Sequence, residues 1–272
     1  MTSSVEAAVH FIAGSEAAFM INDSVPPSLS VSRENPTPVL PAVVADLGQA
    51  LPPGYIQLGF STEIAPTLRD FGIDPDPVIR EAGLDPTLFG DGSNIIPHAA
   101  LGRLLTLCVT RTHCPHFGLL VGQRGTILSL GMIGRLMQHS ETVGDALRAL
   151  VSNLCVQDRV VVPLLTTSDG MVGFRISVYQ TEAESADQIA DGALAVTVNA
   201  LRCLCGSDWR PAEVLLPRKA PAARDPYRRH FRATIRFNQE NAALVFPNCY
   251  LERRIAGADP MVRRALEERS VR

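Results

Sequence analysis

The densest set of reactive side chains in the chain is Cys108-Val-Thr-Arg-Thr-His113-Cys114-Pro-His116, two thiols and two imidazoles within nine residues. By type these are zinc ligands. Their spacing is wrong for one: there is no CxxC, no HxxxH and no second half-site downstream. Cys108 falls on the apolar stripe of Ala100, Leu101, Leu104 and Leu105, which favours a core role. Cys203 and Cys205 lie near a helix end. Residues two apart on a helix point about 200° apart, so these thiols cannot bridge while the helix holds. A serine nucleophile would need an elbow such as GxSxG, and the chain has none. Gly125-Thr-Ile-Leu-Ser-Leu-Gly131 lacks both a GK[ST] ending and a GxGxxG pattern, so no phosphate cradle is supported. His139 and His230 have no acidic partner nearby in sequence, and no pair of carboxylates stands out for acid–base work. The expectation is a protein with no catalytic residues, no metal and no cofactor.

The elements that would position any site divide the chain into three. Residues 24–53 hold seven prolines, and residues 1–53 carry five acidic side chains against Arg33 alone, a net −4. Proline at that density removes backbone donors and blocks helices, so 1–53 is expected to be a disordered or linker-like tail. From Ile64 to about Cys155 the apolar period is helical. Pro66, Pro75, Pro97 and Pro115 suit helix starts and Gly72 and Gly83 suit ends. Ser129 to Gln138 and Glu141 to Asn153 continue the pattern, with Ser140 placed to cap the latter.

The period then changes to two. Val160 to Leu165 is β-rich, and Ser168-Asp169-Gly170 signals a turn. Val172, Phe174, Ile176 and Val178 alternate with Gly173, Arg175, Ser177 and Tyr179, a strand with one buried face. Glu182 to Cys205 is the strongest helical segment, with Ile189, Ala193, Val196, Ala200 and Leu204 as its stripe. Val214–Leu216, Ile235–Phe237 and Leu244–Phe246 read as short strands, and a last helix starts at Asp259. Helices, a hairpin, a long helix and more strands give an α+β class. The expected architecture is a helical N-terminal half on a small antiparallel sheet.

Composition bounds the function. With 272 residues, 46% apolar and 19% charged, the chain can bury a substantial core and wholesale disorder is excluded. A net charge of −3 argues against a protein that binds nucleic acid with its whole surface. No run of 18 apolar residues occurs, so no membrane span is expected. The first basic residue is Arg33, and Glu6, His10 and Glu16 interrupt the early apolar positions, which does not suit a signal peptide. The six cysteines are therefore read as reduced thiols of a cytoplasmic protein. From Pro217 onward 13 basic residues face six acidic ones, a net +7. This stretch is either a DNA-contacting surface or, the favoured reading, a solvated face plus linker.

Several blocks in order carry a resemblance. They are Gly72-Ile-Asp-Pro75 with Glu81-Ala-Gly-Leu-Asp85, then Ile96-Pro97, then His116-Phe-Gly-Leu-Leu-Val-Gly122. Leu130-Gly-Met-Ile-Gly134 and Ser140-Glu-Thr-Val-Gly-Asp-Ala-Leu147 follow, then Arg202, Gly206, Trp209, Pro211 and Val214. Tyr227, Phe231, Ile235, Phe237, Asn241, Leu244, Phe246 and Leu251 close the set. Together they resemble the N-terminal, "arabinose-binding domain-like" effector domain of AraC-type transcription regulators, from about Ile64 to Pro260. Four positions depart from it. Cys114 stands where the family usually has a capping Asp, Arg232 and Thr234 where it commonly has Gly and Pro, and the family also has a Pro near Arg254.

The resemblance implies a bacterial sensory domain, residues 54–258, that binds a small-molecule effector and self-associates or pairs with a related regulator. Residues 259–272 would begin the helix leading to a helix-turn-helix domain. That domain lies outside this chain, and DNA would be contacted only through it. A chain that ends at Arg272 would instead be a stand-alone protein that pairs with intact regulators. An enzyme on the same fold is a third reading, without a catalytic cluster to support it. The effector pocket is expected between the hairpin's apolar face and the covering helices. Phe174, Ile176, Val178, Met137 and Cys155 are its candidate linings, with plain core as the competing reading. Arg175 or Tyr179 would orient a carboxylate if the sheet's other face is the open one.

Overall fold

A computed structural model describes residues 51–157, 161–178 and 185–270. The N-terminal tail expected over 1–53 therefore lies, up to residue 50, outside the described residues, as do Glu182 and Glu184 of the expected long helix. Among the described residues no single helix is long and apolar enough to cross a membrane.

Two three-residue strands, β1 (Tyr55–Gln57) and β2 (Ile95–Pro97), pair antiparallel and open the fold. Between them stand α1 (Ile64–Asp70) and α2 (Pro75–Glu81). Asp74 caps α2 by accepting from the Asp76 N–H, and Gly72 and Gly83 follow the two helices at φ +72° and +82°, where a side chain would be strained. Next come α3 (His98–Thr112), α4 (Phe117–Arg124), α5 (Gly131–Gln138) and α6 (Val143–Gln157). The cap of α6 is Thr142 rather than Ser140. Thr142 Oγ1 accepts from the Asp145 N–H at 3.1 Å, and the Asp145 carboxylate accepts from the Thr142 N–H at 3.3 Å, a reciprocal box. Ser140 is instead buried, its hydroxyl donating to the Leu136 carbonyl.

The hairpin β3 (Val161–Ser168) and β4 (Met171–Val178) turns at Asp169 and Gly170, both at positive φ, the geometry a two-residue loop demands. After α7 (Ala186–Cys205) come β5 (Glu213–Leu215), α8 (Asp225–Phe231), β6 (Thr234–Arg236), β7 (Ala242–Pro247) and α9 (Pro260–Ser270). The sheet order is β3-β4-β7-β5-β6. The fold is α+β, with one correction to the expected antiparallel sheet: β6 runs parallel to β5. Parallel neighbours need a crossover, and α8, unforeseen in the sequence, supplies it.

Val172, Phe174, Ile176, Val214, Leu244 and Phe246 are buried in the main core. A smaller cluster of Met171, Leu215, Ala243 and Val245 forms from the residues alternating with them, on the opposite face. α7 packs on α4, β4 and β7 and is buried at every residue from Gln188 to Val198. A helix buried all round is a central one, and α7 is the axis around which the domain is assembled.

A candidate ligand cavity

The core is not filled. A cavity of about 620 Å³ lies between α7, the β3–β4 hairpin and the helices that cover them. Phe174, Ile176, Val161 and Pro163 form its sheet wall, and Ile189, Ala193, Val196 and Thr197 of α7 a second wall. Leu101 and Leu105 of α3, Val121 of α4, Ile133 of α5 and Leu150 and Leu154 of α6 close the rest. Phe60, Ser61 and Thr62, in the 3-10 turn Gly59–Glu63, and Leu128, Ser129 and Leu130, in the turn Ile127–Leu130, add two loop segments. Leu128 is 58% exposed, which places it at the rim.

Two close approaches of backbone set this shape. A Cβ added at Gly118 would stand 2.1 Å from the Gln188 carbonyl oxygen, and one at Gly122 would stand 2.2 Å from that of Gly192. The spacing i, i+4 puts both glycines on one face of α4, so that face meets α7 main chain to main chain. The Gly118 N–H donates to Gln188 Oε1 at 2.8 Å, and Gln188 Nε2 donates to the Pro115 carbonyl at 2.9 Å. The Gln188 amide is thus spent on the protein. Thr197 donates to the Ala193 carbonyl at 2.7 Å, and Thr62 to that of Gly59 at 2.9 Å.

Electrostatically the lining is one-sided. Among the described residues its one ionisable side chain is Asp91, whose carboxylate accepts from the Ser93 N–H and is held below the ordinary carboxylate range by that bond. No Lys, Arg or His is among the described residues that line it.

On the far side of α7 lies a buried ionic knot. Tyr227 Oη donates to Asp191 Oδ2 at 2.6 Å, and Arg218 Nη1 donates to the same oxygen and to Tyr227 Oη. Arg218 Nη2 reaches the Pro115 carbonyl at 2.7 Å. Burial pushes Asp191 up to about 6 against the pull of Arg218, and burial raises Tyr227 as well. The knot joins α7, α8 and the α3–α4 loop, and so holds the cavity's main wall in place. Nearby, burial lowers His230 to about 4, its Nε2 lying 3.3 Å from the Ala195 carbonyl.

Of the residues singled out in the sequence, Phe174 and Ile176 line the cavity together. Met137 is fully buried in α5 but is not among the lining residues. Cys155 falls within α6 and Val178 within β4, but their side chains, like the whole of Tyr179, lie outside the described residues. Arg175 is half-buried on β4, one residue out of phase with Phe174 and Ile176, and so points to the other face of the sheet. Cys108 is buried in α3 and burial pushes its thiol up to about 12, while Cys205 is raised to about 11 for the same reason. Among the described residues no three His, Cys, Asp or Glu side chains are grouped as metal ligands. The α7 wall and the α4 glycines escaped the sequence reading. Gly118 and Gly122 four apart on a helix were the available signal.

Residues 72–255 match the family model described as the arabinose-binding domain of AraC transcription regulator, N-terminal. The chain belongs to that family. The match covers α2 to β7, and with them the sheet wall and the α7 wall of the cavity, but not the Gly59–Glu63 turn that also lines it. The crystal structure of the transcriptional regulator CdpR from Pseudomonas aeruginosa is similar, with a TM-score of 0.58 over 78% of this chain at 19% identity. At that identity the likeness is one of fold. This chain spans 62% of the CdpR chain. No curated protein matches the sequence.

Proposed function

We propose that this domain senses a neutral, largely apolar small molecule bound in the cavity, as a binding protein and not an enzyme. The carrying observation is a void of ligand size, about 620 Å³, with no cation on its described walls. A carboxylate entering it would lose its hydration and meet no cation on the described walls, at a cost of several kcal/mol. An uncharged ring or chain gains burial against Phe174, Ile189 and Val196 at roughly 25 cal/mol per Å².

The output runs through α5. Its residues Met132 and Ile133 line the cavity, and the helix also packs against α9. The Arg263 guanidinium of α9 donates to Ser140 Oγ, just past the end of α5, and Leu266 is buried in the core. A ligand that prefers one placement of α5 thereby biases α9. We read α9 as the lead to a DNA-binding helix-turn-helix domain in a cytoplasmic regulator. The exposed Met261 (76%) and Val262 on α9 favour self-association, or pairing with a related regulator, through that helix.

Thermal unfolding with matched ligands tests the reading. Decanol should stabilise the protein, by roughly 2.7 kcal/mol at a hundredfold excess over Kd, or about 5–10 °C. Decanoate and arginine at the same concentrations should give far smaller shifts. A larger shift from either charged compound than from decanol would overturn the ligand class.

A further inference from the structure

A second hollow, of about 750 Å³, lies beside the sheet's outer strand β6, remote in composition from the cavity. Four arginines line it: Arg210 after α7, Arg224 and Arg228 at and within α8, and Arg232 at the end of α8. All four are exposed. The carboxylate against this group is Asp225, 3.8 Å from Arg228 and itself 79% exposed. Among the described residues Arg210, Arg224 and Arg232 have no carboxylate partner. The Arg224 guanidinium lies over the Phe237 ring at 5.9 Å, and Arg232 donates to the Ser207 carbonyl. Arg232 also holds a left-handed backbone, φ +53°, a conformation that disfavours a side chain. The local field is positive enough to be felt by neighbours: Arg202 is lowered to about 10, by burial first and then by Arg232.

We propose that this groove is an anion site for a phosphate-bearing ligand, separate from the effector cavity. Four like charges around one hollow repel one another until an anion of matching density enters. A run of phosphates carries several charges within a few ångströms, and the guanidinium fork pairs with phosphate oxygens two at a time. Phe237 and the Thr234 hydroxyl, which also line the hollow, offer a stacking face and a hydrogen bond beside the charges. The phosphates have two sources, a soluble nucleotide-like molecule or the backbone of nucleic acid.

Calorimetric titration of the full chain with tripolyphosphate tests the site, alongside the variant Arg228→Gln/Arg232→Gly. Glycine suits the φ at 232, so the double variant should fold as well as the parent. Saturable binding that weakens with salt, and a loss of at least tenfold in the variant, is the expected result. ATP and a short random-sequence DNA duplex then separate the sources. Tighter binding of ATP marks a soluble ligand. Tighter binding of duplex, with log K falling against log salt at a slope near −3 to −4, marks a backbone contact. No binding of any of the three, equal binding by the variant, or tighter binding of a hexaglutamate peptide than of tripolyphosphate would overturn the proposal.

Discussion

Replacing Gly118 with alanine perturbs the contact on which the cavity depends. The added Cβ would stand 2.1 Å from a main-chain oxygen of α7, a separation that real Cβ atoms essentially never show. Backbone cannot rotate away as a side chain can, so α4 and α7 must part by roughly an ångström. Overpacking of this kind costs about 1–3 kcal/mol, and sometimes more. Parting also breaks the Gly118–Gln188 bond and the Gln188–Pro115 bond. Leaving a buried partner unmade adds about 1–3 kcal/mol. The alanine's better helix propensity returns at most about 1 kcal/mol. The net expectation is a loss of about 1–6 kcal/mol, centred near 3, or roughly 6–12 °C in Tm at that centre for a domain of this size. Urea and thermal unfolding measure it, with Gly90→Ala as the control. Gly90 has nothing within 4 Å of its would-be Cβ and should change stability by less than about 0.5 kcal/mol. Because Gln188, Ala193 and Val196 line the cavity, Gly118→Ala should also weaken ligand binding. A Gly118→Ala protein within about 1 kcal/mol of wild type would refute the claim that α4 and α7 meet main chain to main chain.

Three further outcomes follow from the buried charges. Arg218→Met should cost about 3–5 kcal/mol in urea unfolding, because Asp191 is left buried without its cation, and adding Asp191→Asn should recover much of the loss. Asp191 sits at about 6 in the folded protein and near 3.9 when unfolded, so its contribution is present at low pH and is lost as pH rises from about 4 to 6. His230 sits at about 4 folded and near 6.5 unfolded, so its contribution is present above 6.5 and is lost as pH falls toward 4. The two terms oppose each other. Urea midpoints from pH 4 to 7 should show His230→Gln gaining stability, relative to wild type, as pH falls, and Asp191→Asn losing it. Identical pH slopes in all three proteins would contradict the burial of both groups.

Periodicity made part of this molecule readable from sequence. The hairpin's turn, its register and the shared face of Phe174 and Ile176 follow from strict alternation around Asp169-Gly170. The long helix follows from its apolar stripe. Its cavity wall did not, because Ile189, Ala193 and Val196 on a helix buried all round look the same in sequence whether they face a neighbour or a void. The α4–α7 contact joins residues about 70 apart, and no local pattern reports which distant backbone a glycine will touch. The same is true of Arg218 and Asp191, 27 residues apart, and of Tyr227, which joins them from an α8 that lies between strands too short to announce a parallel crossover. Arg175 shows the opposite case. Alternation alone places it off the face that Phe174 and Ile176 give to the cavity.

The central claim is that the void against α7 takes up neutral apolar molecules. Titration with N-phenyl-1-naphthylamine, an uncharged fluorophore, tests it most directly, with Ala193→Trp as the filled-cavity comparison. At about 0.3 kcal/mol per heavy atom the probe should bind with about 5 kcal/mol, a Kd on the order of 0.1 mM or tighter. The account predicts a saturable fluorescence rise, displaced by decanol and not by arginine, and abolished in Ala193→Trp. A rise that persists unchanged in a folded Ala193→Trp protein, or one that arginine displaces, would contradict it.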